Sequence, residues 1–467
     1  MADSSIEAIV NDLLPVFGVD ALKDEQKSIL HCLIDKTDCM AVLPTGFGKS
    51  LPYQMYSLVN RRLTGVKEIV VVCCPLVALM QDQVEKMSNI PEVKSAYAGS
   101  STQSDMNIKD GLVDIIYASP ETLVGDPEWR ASIQELPVSV LVIDEFHTIA
   151  TWGDNVECPG KETFRKWFND IGELRSLFPK STVLALSATC TLKIRKRVKK
   201  VIHLAADVNE IVISPNKANI RVLVAKIPNT VEMSMHWLIE GLSQLREKFS
   251  RTIIYCTSIK DVSDIYSYVT QELPFASNLL EMFHSETPRS RKQKILENLT
   301  NLSGEIKIVI ATSALGMGLD VKNCHSVILF GPPVQVVDLL QAIGRVGRDG
   351  EPSIAIILYN SYHLRKLSSD VKEILRTTDC RRISLLQCFL KSEVISLIME
   401  KESRKHTCCD LCRRKCECQN CSMLPLEEIF HSSGSSCAGQ NDSDISDSGT
   451  EEYFSNNEHE LENLELS

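Results

Sequence analysis

The feature that most constrains the fold is a regular alternation of short β-rich runs with polar helical stretches. Between residues 38 and 205 the β-rich runs are CMAVLP, EIVVVCCP, DIIYASP, VSVLVIDE and STVLALSAT. After a polar joint near residues 214–219 the pattern resumes with RTIIYCTS, IKIVIATS, HSVILFG and SIAIILYN. Such alternation is typical of parallel strands joined by crossover helices. The pattern therefore predicts two α/β domains in tandem.

The composition is that of an ordinary globular protein, with 44% hydrophobic and 24% charged residues in a chain of 467. The longest apolar run, residues 69–80, contains Pro75 and is shorter than the roughly 18 residues that a membrane helix needs. The N-terminal sequence MADSSIEAIV has neither the basic start nor the apolar stretch of a secretory signal. We therefore expect an intracellular protein that does not act at a membrane.

Negative charge is concentrated at the C-terminal end of the chain. Residues 416–467 contain 12 acidic residues and no Lys or Arg, although the whole chain has 50 basic and 61 acidic residues. The remainder is close to neutral, so the overall acidity does not argue against a nucleic-acid partner. The end of the chain is rich in Ser, Asn, Asp and Glu, a composition that favours disorder. We expect a disordered acidic tail over residues 425–467, which could have a protein partner.

The segment LPTGFGKS, residues 43–50, stands between a β-rich run and a helical stretch. This is the context of a phosphate-binding loop, in which Lys49 would reach the β- and γ-phosphates and Ser50 would ligate Mg²⁺. The strict pattern has Gly where this chain has Leu43, but Gly46 and Gly48 preserve the sharp turn. The alternative is a glycine-rich strand-to-helix turn without a ligand. We predict that the loop binds a nucleotide.

In VLVIDEFH, four apolar residues bring Asp144 and Glu145 to the end of a β-rich run. Asp144 would hold Mg²⁺ through water, and Glu145 would orient or deprotonate the attacking water. The alternative is that the two carboxylates only stabilise the N-terminus of a following helix.

In QAIGRVGRDG, residues 341–350, Arg345 and Arg348 are three positions apart. Both would face one surface if the segment were helical. There they could stabilise charge on a phosphoryl group during its transfer. Without a nucleotide opposite, they would be ordinary solvated arginines.

Six of the 17 cysteines lie within residues 408–421. The scattered cysteines fit small buried hydrophobic positions, whereas this cluster fits metal ligands in a reducing compartment. The sequence leaves three alternatives open for Cys416, Cys418 and Cys421: part of a second zinc site, exchange with the first site, or free thiols.

The order of these segments resembles superfamily 2 helicases and, within them, the RecQ family of DNA helicases, over roughly residues 10–412. FGVDALKDEQKSIL resembles the adenine-recognition motif, DEFH the DExH box, and SAT at residues 187–189 the motif that couples hydrolysis to domain movement. ATSALGMGLD and QAIGRVGRDG resemble motifs of the second domain, the latter being the arginine-finger motif. The resemblance implies two RecA-like domains that bind ATP between them.

The resemblance also implies roles for individual residues. The implied catalytic residues are Lys49, Asp144, Glu145, Gln341, Arg345 and Arg348. The implied nucleotide-binding residues are Lys23, Gln26, Thr45, Gly46, Phe47, Gly48, Lys49, Ser50 and Asp320, with Ser50 and Asp144 holding Mg²⁺. The implied DNA-binding residues are Trp152, Ser187, Thr189 and Thr312.

Two segments depart from the family pattern. Val19 replaces the usual aromatic residue that stacks on adenine, and Lys23 stands where an Arg is usual. The family's aromatic-rich loop that senses DNA is rearranged here to TWGDNVECPGKETFRKWF. Trp152 matches the family and is expected to couple DNA binding to hydrolysis, whereas Trp167 and Phe168 fit the apolar face of a helix.

The cysteine region resembles the zinc-binding segment that follows the RecQ motor. Cys380-Arg381-Arg382 matches the start of that segment and HTCCDLC its end. The resemblance implies zinc ligands Cys380, His406, Cys409 and Cys412, with Cys408 as the competing choice for His406. Residues 422–467 are too few and too polar for the winged-helix and HRDC domains of longer members, so a short form is expected.

We expect an ATP-dependent 3′-to-5′ DNA helicase that acts on single-stranded and forked DNA in repair or recombination, in the nucleus if the cell is eukaryotic. The alternatives are an RNA-directed DExH ATPase and a nucleic-acid-binding regulatory module with a weakened motor. The expected domains are residues 1–212 and 213–362, both RecA-like, then a helical zinc-binding segment at 363–424 and the tail.

Overall fold

A computed structural model of the chain describes residues 2–44, 46–75, 77–147, 170–315, 321–401, 405–419 and 421–432. Their core consists of two parallel β-sheets, one after the other along the chain. The prediction of two tandem α/β domains is confirmed.

The first sheet has seven described strands in the order β3-β4-β2-β5-β6-β1-β7, and every pairing is parallel. Its strands are β1 (Cys39–Val42), β2 (Ile69–Cys73), β3 (Ser95–Tyr97), β4 (Ile115–Ala118), β5 (Val138–Ile143), β6 (Thr182–Ser187) and β7 (Asn209–Val212). Its helices are α1 (Ala2–Leu13), α2 (Asp24–Ile34), α3 (Leu51–Thr64), α4 (Val77–Met87), α5 (Thr102–Lys109), α6 (Pro127–Gln134), α7 (Glu173–Leu177) and α8 (Leu192–Val201).

The second sheet has six described strands in the order β10-β11-β9-β12-β13-β8, again all parallel. Its strands are β8 (Ile220–Lys226), β9 (Thr252–Cys256), β10 (Leu280–Phe283), β11 (Ile308–Ala311), β12 (Ser326–Phe330) and β13 (Ser353–Tyr359). Its helices are α9 (Val231–Leu245), α10 (Ile259–Glu272), α11 (Arg289–Thr300) and α12 (Val336–Ile343).

The central strands are apolar throughout because both faces of each sheet are covered. In β2, Val70 and Val72 belong to one buried cluster, while Val71 and Cys73 belong to the cluster on the opposite face. The second sheet repeats this division between its two faces. Burial on both faces is the usual state of parallel sheets and explains why the strand signal is a continuous β-branched run.

The nine β-rich runs of the sequence all contain strands, whereas β3, β7, β8 and β10 were not predicted. Three of these four, β3, β7 and β10, are only three or four residues long. All four lie at the edges of their sheets. An edge strand is paired on one side only and need not be uniformly apolar. Its sequence therefore carries a weaker strand signal than that of a central strand.

A helical region follows the second sheet and packs against it. It contains α13 (Ser361–Lys366), α14 (Ser369–Arg376), α15 (Arg381–Gln387), α16 (Ser392–Lys401), α17 (Asp410–Arg414) and α18 (Pro425–Ser432). None of the helices in the described ranges is both long enough and apolar enough to cross a membrane.

The expectation that disorder begins at residue 425 is wrong, because residues 425–432 form α18 and pack on the second domain. Phe430 is 1% exposed and meets Trp237 of α9 edge to face, with ring centroids 5.3 Å apart. Glu427 is equally buried and accepts hydrogen bonds from Arg221 of β8 and from Arg413, the latter at 2.7 Å. The apolar residues and this buried ion pair together anchor the helix. Residues 433–467 lie outside the described ranges.

Phe430→Ala is expected to lower the free energy of unfolding of the second domain by about 3–5 kcal/mol, since truncating a buried aromatic ring leaves a cavity. The measurement is a urea titration followed by circular dichroism. Leu302→Ala is the matched control, because Leu302 is 66% exposed in the same domain, and it should change stability by less than about 0.5 kcal/mol. Equal effects of the two changes would contradict the docking of α18.

Candidate active site and cysteine clusters

The predicted phosphate loop connects β1 directly to α3, so the strand–loop–helix context is confirmed. Gly46 and Gly48 have φ angles of +82° and +86°, a region that side chains rarely adopt. A Cβ atom on Gly48 would also lie only 2.6 Å from Nε2 of Gln26. Its backbone conformation therefore favours glycine at this position, and an added side chain would also displace the Gln26 amide. Thr45 lies outside the described residues.

Gln26 and Lys23, both predicted to bind the nucleotide, contact this loop from the start of α2. The Gln26 Nε2 atom donates hydrogen bonds to the backbone oxygens of Phe47 and Gly48, each at 3.1 Å. The Lys23 backbone N–H donates to Gln26 Oε1 at 2.9 Å. The Lys23 Nζ atom lies 4.0 Å from the centroid of the Phe47 ring. The structure thus brings the adenine-recognition motif and the loop together.

Glu145 follows β5 and points to the same loop. Its Oε1 atom lies 3.7 Å from Lys49 Nζ, and its Oε2 atom lies 3.2 Å from His147 Nδ1. Glu145 has a φ of +49°, a strained conformation for a residue with a side chain. Burial alone would raise the pKa of Glu145, but the hydrogen bond from His147 and the charge of Lys49 outweigh it and lower the pKa. The carboxylate is held ionised beside the phosphate loop.

Asp144 lies beside this pair at the end of β5. Its carboxylate accepts a hydrogen bond from the Glu145 backbone at 2.9 Å. Burial and the negative charge of Glu145 raise the pKa of Asp144 to about 6. Two adjacent carboxylates in an enclosed site form a hard oxygen donor set of the kind that Mg²⁺ prefers. The residues therefore fit a Mg²⁺ ion, which would favour the charged form of Asp144.

A chain of hydrogen bonds runs from the DExH segment to the second domain. His147 Nδ1 lies 2.8 Å from Ser187 Oγ, and that hydroxyl donates to the Thr189 backbone oxygen at 3.0 Å. Gln341 of α12 then donates from Nε2 to Thr189 Oγ1 at 2.9 Å. His147 was not among the predicted site residues, although the DEFH motif contains it.

Ser187, one of the implied DNA-binding residues, is the last residue of β6. Ser187 is fully buried and its hydroxyl is engaged with His147 and Thr189. This buried hydroxyl links the DExH segment to Thr189, and the role of Ser187 in DNA binding stays a prediction. Thr312, just beyond β11, is half-buried. Trp152 and Asp320 lie outside the described residues.

Arg345 and Arg348 are not on one helix, contrary to the condition under which they were expected to share a surface. Helix α12 ends at Ile343, because the following segment turns through Gly347, which has a φ of +60°. The two arginines nevertheless lie in one cationic group, since both lower the pKa of Lys217 in addition to the effect of burial. Lys217 donates to the Gly344 backbone oxygen at 2.8 Å. It was missed because it lies in the polar joint between the domains.

The first cysteine cluster corrects one predicted zinc ligand. The sulfur atoms of Cys380, Cys408, Cys409 and Cys412 all lie within 4.8 Å of one another, whereas His406 belongs to a different group. Cys408, the competing choice, is therefore the fourth member. Four converging thiols match a closed structural zinc site. Cys409 Sγ accepts a hydrogen bond from the Cys412 backbone N–H at 3.4 Å, which would help to stabilise a thiolate.

Buried contacts attach this cluster to the second sheet. The Val222 backbone N–H of edge strand β8 donates to the Cys408 backbone oxygen at 3.1 Å. Arg381 makes a buried bidentate pair with Asp410, with nitrogen–oxygen distances of 2.6 and 3.1 Å. Arg382 donates to the Ile220 backbone oxygen at 2.8 Å. The Cys-Arg-Arg segment thus supplies one potential metal ligand, an ion pair to α17 and a hydrogen bond to β8.

Two family models match the chain. The model described as DEAD/DEAH box helicase matches residues 23–198, and the model described as helicase conserved C-terminal domain matches residues 233–350. The first match includes the phosphate loop and the DExH segment, and the second includes Gln341 and the two arginines. The first model thus covers β1 to β6 of the first sheet, and the second covers β9 to β12 of the second sheet.

Three curated relatives are similar over most of the chain. The probable ATP-dependent DNA helicase RecS of Bacillus subtilis is 30% identical over 351 residues, which cover 74% of this chain and 66% of RecS. The bifunctional 3′-5′ exonuclease/ATP-dependent helicase WRN of Mus musculus is 28% identical, with coverage of 86% of this chain and 29% of WRN. The ATP-dependent DNA helicase RecQ of Pasteurella multocida is 27% identical, with coverage of 74% and 51%. The chain therefore spans only part of each relative.

A solved structure supports the fold. The crystal structure of the DUF1998 helicase MrfA bound to DNA and AMPPNP superposes with a TM-score of 0.54 at 18% identity, covering 85% of this chain and 60% of that one. At this identity the likeness concerns the architecture of the two sheets.

Proposed function

We propose that this chain, which belongs to the RecQ family of superfamily 2 helicases, couples ATP hydrolysis to movement along single-stranded DNA and to unwinding of duplex DNA. The observation that carries the proposal is the link between the two domains at the candidate active site. Lys49 and Glu145 face each other in the first domain, and Gln341 of the second domain reaches Thr189 beside them. A structural change on hydrolysis at this site would be transmitted directly to the second domain.

In this proposal the phosphate loop holds the triphosphate, with Lys49 on the β- and γ-phosphates. Glu145 orients and deprotonates the attacking water, for which its lowered pKa keeps it in the basic form. Ser50 and Asp144 would hold Mg²⁺, which supplies charge neutralisation at the phosphates when bound. Gln26 and Lys23 would read the base, since both already contact the loop. Thr45 and Asp320 would complete the nucleotide site.

The second domain would supply further positive charge to the phosphates. Arg345 is half-buried, and burial together with the charge of Arg348 lowers its pKa, as expected for cations held close together. Binding of a triphosphate beside Arg345, Arg348 and Lys217 would reduce the repulsion among these three cations. Closing of the cleft on ATP and its reopening after hydrolysis would then move the DNA contacts, which we assign to Trp152, Ser187, Thr189 and Thr312.

We further propose that the first cysteine cluster binds zinc and stabilises the helical segment 363–424 on the edge of the second domain. The cluster lies on β8 and shares its buried core. Its zinc would be structural, because all four ligand positions are occupied by cysteines. The RecA-like domains would then be residues 1–212 and 213–362.

The proposed substrates are single-stranded and forked DNA, the proposed direction is 3′ to 5′, and the proposed setting is DNA repair or recombination, in the nucleus of a eukaryotic cell. An RNA-directed ATPase and a regulatory module with a weakened motor are the competing functions. Lys49, Glu145, Arg345 and Arg348 are all retained, which favours an active motor over a binding module.

Steady-state ATP hydrolysis should rise strongly on addition of single-stranded DNA and much less on addition of RNA. Lys49→Ala removes the cation that would bind the phosphates, so it should abolish turnover under every condition and serves as the background. Greater stimulation by RNA would favour the RNA-directed ATPase. Turnover at the level of Lys49→Ala with every nucleic acid would contradict the motor.

Unwinding should require a 3′ single-stranded tail on the duplex if the motor moves 3′ to 5′. The measurement is ATP-dependent strand release from duplexes that carry a 3′ tail, a 5′ tail, a fork or blunt ends. We expect release from the 3′-tailed and forked substrates. Release that depends on the 5′ tail would reverse the proposed polarity.

A further inference from the structure

The cysteines that follow the first cluster converge with His406 into a second group of potential ligands. His406, Cys416, Cys418 and Cys421 place one nitrogen and three sulfur atoms within 4.8 Å of one another. The His406 Nδ1 atom lies 3.2 Å from Cys416 Sγ and 3.6 Å from Cys418 Sγ. Cys418 Sγ and Cys421 Sγ are 3.3 Å apart.

These separations are close to those of a tetrahedral zinc site and slightly shorter at two of the three contacts. With zinc–sulfur and zinc–nitrogen bonds of about 2.3 and 2.0 Å, ligand atoms of a tetrahedron lie roughly 3.5–4 Å apart. The Cys418 backbone N–H also donates to Cys416 Sγ at 3.4 Å, a contact that resembles the one from Cys412 to Cys409 in the first cluster. Such amide–sulfur bonds help to stabilise the thiolates that a metal requires.

The surrounding chain gives a reason for a metal at this position. Among the described residues between Arg414 and Pro425, none is buried, and apolar packing holds this connection only at its end, where Leu424 contacts the core. Yet it joins α17 to α18, and α18 is firmly docked through Phe430 and Glu427. A cross-link would hold the connection in place, and a metal ion bound by four converging soft ligands can supply one.

A disulfide does not account for the group. The sulfur atoms of Cys418 and Cys421 are 3.3 Å apart, well beyond the roughly 2.05 Å of a disulfide bond. Such a bond would also leave Cys416 and the imidazole of His406 unexplained.

We propose that His406, Cys416, Cys418 and Cys421 form a second structural zinc site, separate from the first cluster. His406 lies between Cys380 and Cys408, so the ligands of the two sites are interleaved along the chain. Each zinc would therefore brace the segment that presents ligands to the other. The second ion fixes the connection from α17 to α18, and through α18 it closes the cysteine region onto the second sheet.

The test is the zinc content of the purified, reduced full-length chain, together with limited trypsin digestion. We expect two zinc ions per chain in the wild type and one in the double variant Cys416→Ser/Cys418→Ser, which leaves only two protein ligands at the second site. The double variant should also be cleaved faster at Arg413, Arg414 or Lys415, because the connection is released.

Cys388→Ser is the matched control, since Cys388 is a half-buried thiol of the same region outside both groups, and it should retain two zinc ions. If the wild type holds one zinc ion and the double variant keeps it, the second site is overturned. One zinc in the wild type that the double variant loses would support the second site and instead contradict zinc at the first cluster. Two zinc ions in the double variant would also overturn the proposal.

Discussion

Parallel pairing of the central strands is the constraint on which the rest of the site depends. Because β5, β6 and β1 are neighbours that run in the same direction, the loops at their carboxyl ends emerge along one edge of the sheet. Lys49, Glu145 and Ser187 come from these three strand ends and are brought within a few side-chain contacts of one another. The hydrogen bond from Gln341 to Thr189 extends that edge to the second domain. The grouping of these side chains at one edge is thus a consequence of sheet topology.

The C-terminal helical region depends on a different interaction, the pairing of buried charges. Arg381 with Asp410, and Arg221 with Glu427, lie almost fully out of solvent. Such pairs gain little over apolar residues, but removal of one partner leaves a buried charge and is costly. Arg221–Glu427 joins α18 to β8, and Arg381–Asp410 joins α15 to α17 within the cysteine region. Both groups of potential metal ligands lie in the region that these ion pairs hold together.

The sequence predicts the central strands and the phosphate loop well, because their signals are local. A run such as the one that contains Val70 to Cys73 needs no partner to be recognised, and neither does a loop with Gly46, Gly48 and Lys49. The zinc ligands are harder to predict, since His406 and Cys408 are two residues apart and only the turn between them decides which group each joins. Helix α18 was missed because its signal is a buried Glu427, whose partner Arg221 is 206 residues away.

We propose that groups from both domains act on one nucleotide. The variant Arg345→Ala tests this proposal most directly. The measurement compares the affinity for a non-hydrolysable ATP analogue with the rate of DNA-stimulated hydrolysis, with Arg291→Ala as a control on an exposed arginine of the same domain. We expect hydrolysis to fall by about 10³-fold or more in Arg345→Ala, as for other arginines that stabilise phosphoryl transfer, while the analogue still binds. Hydrolysis equal to that of Arg291→Ala would contradict a site shared between the two domains.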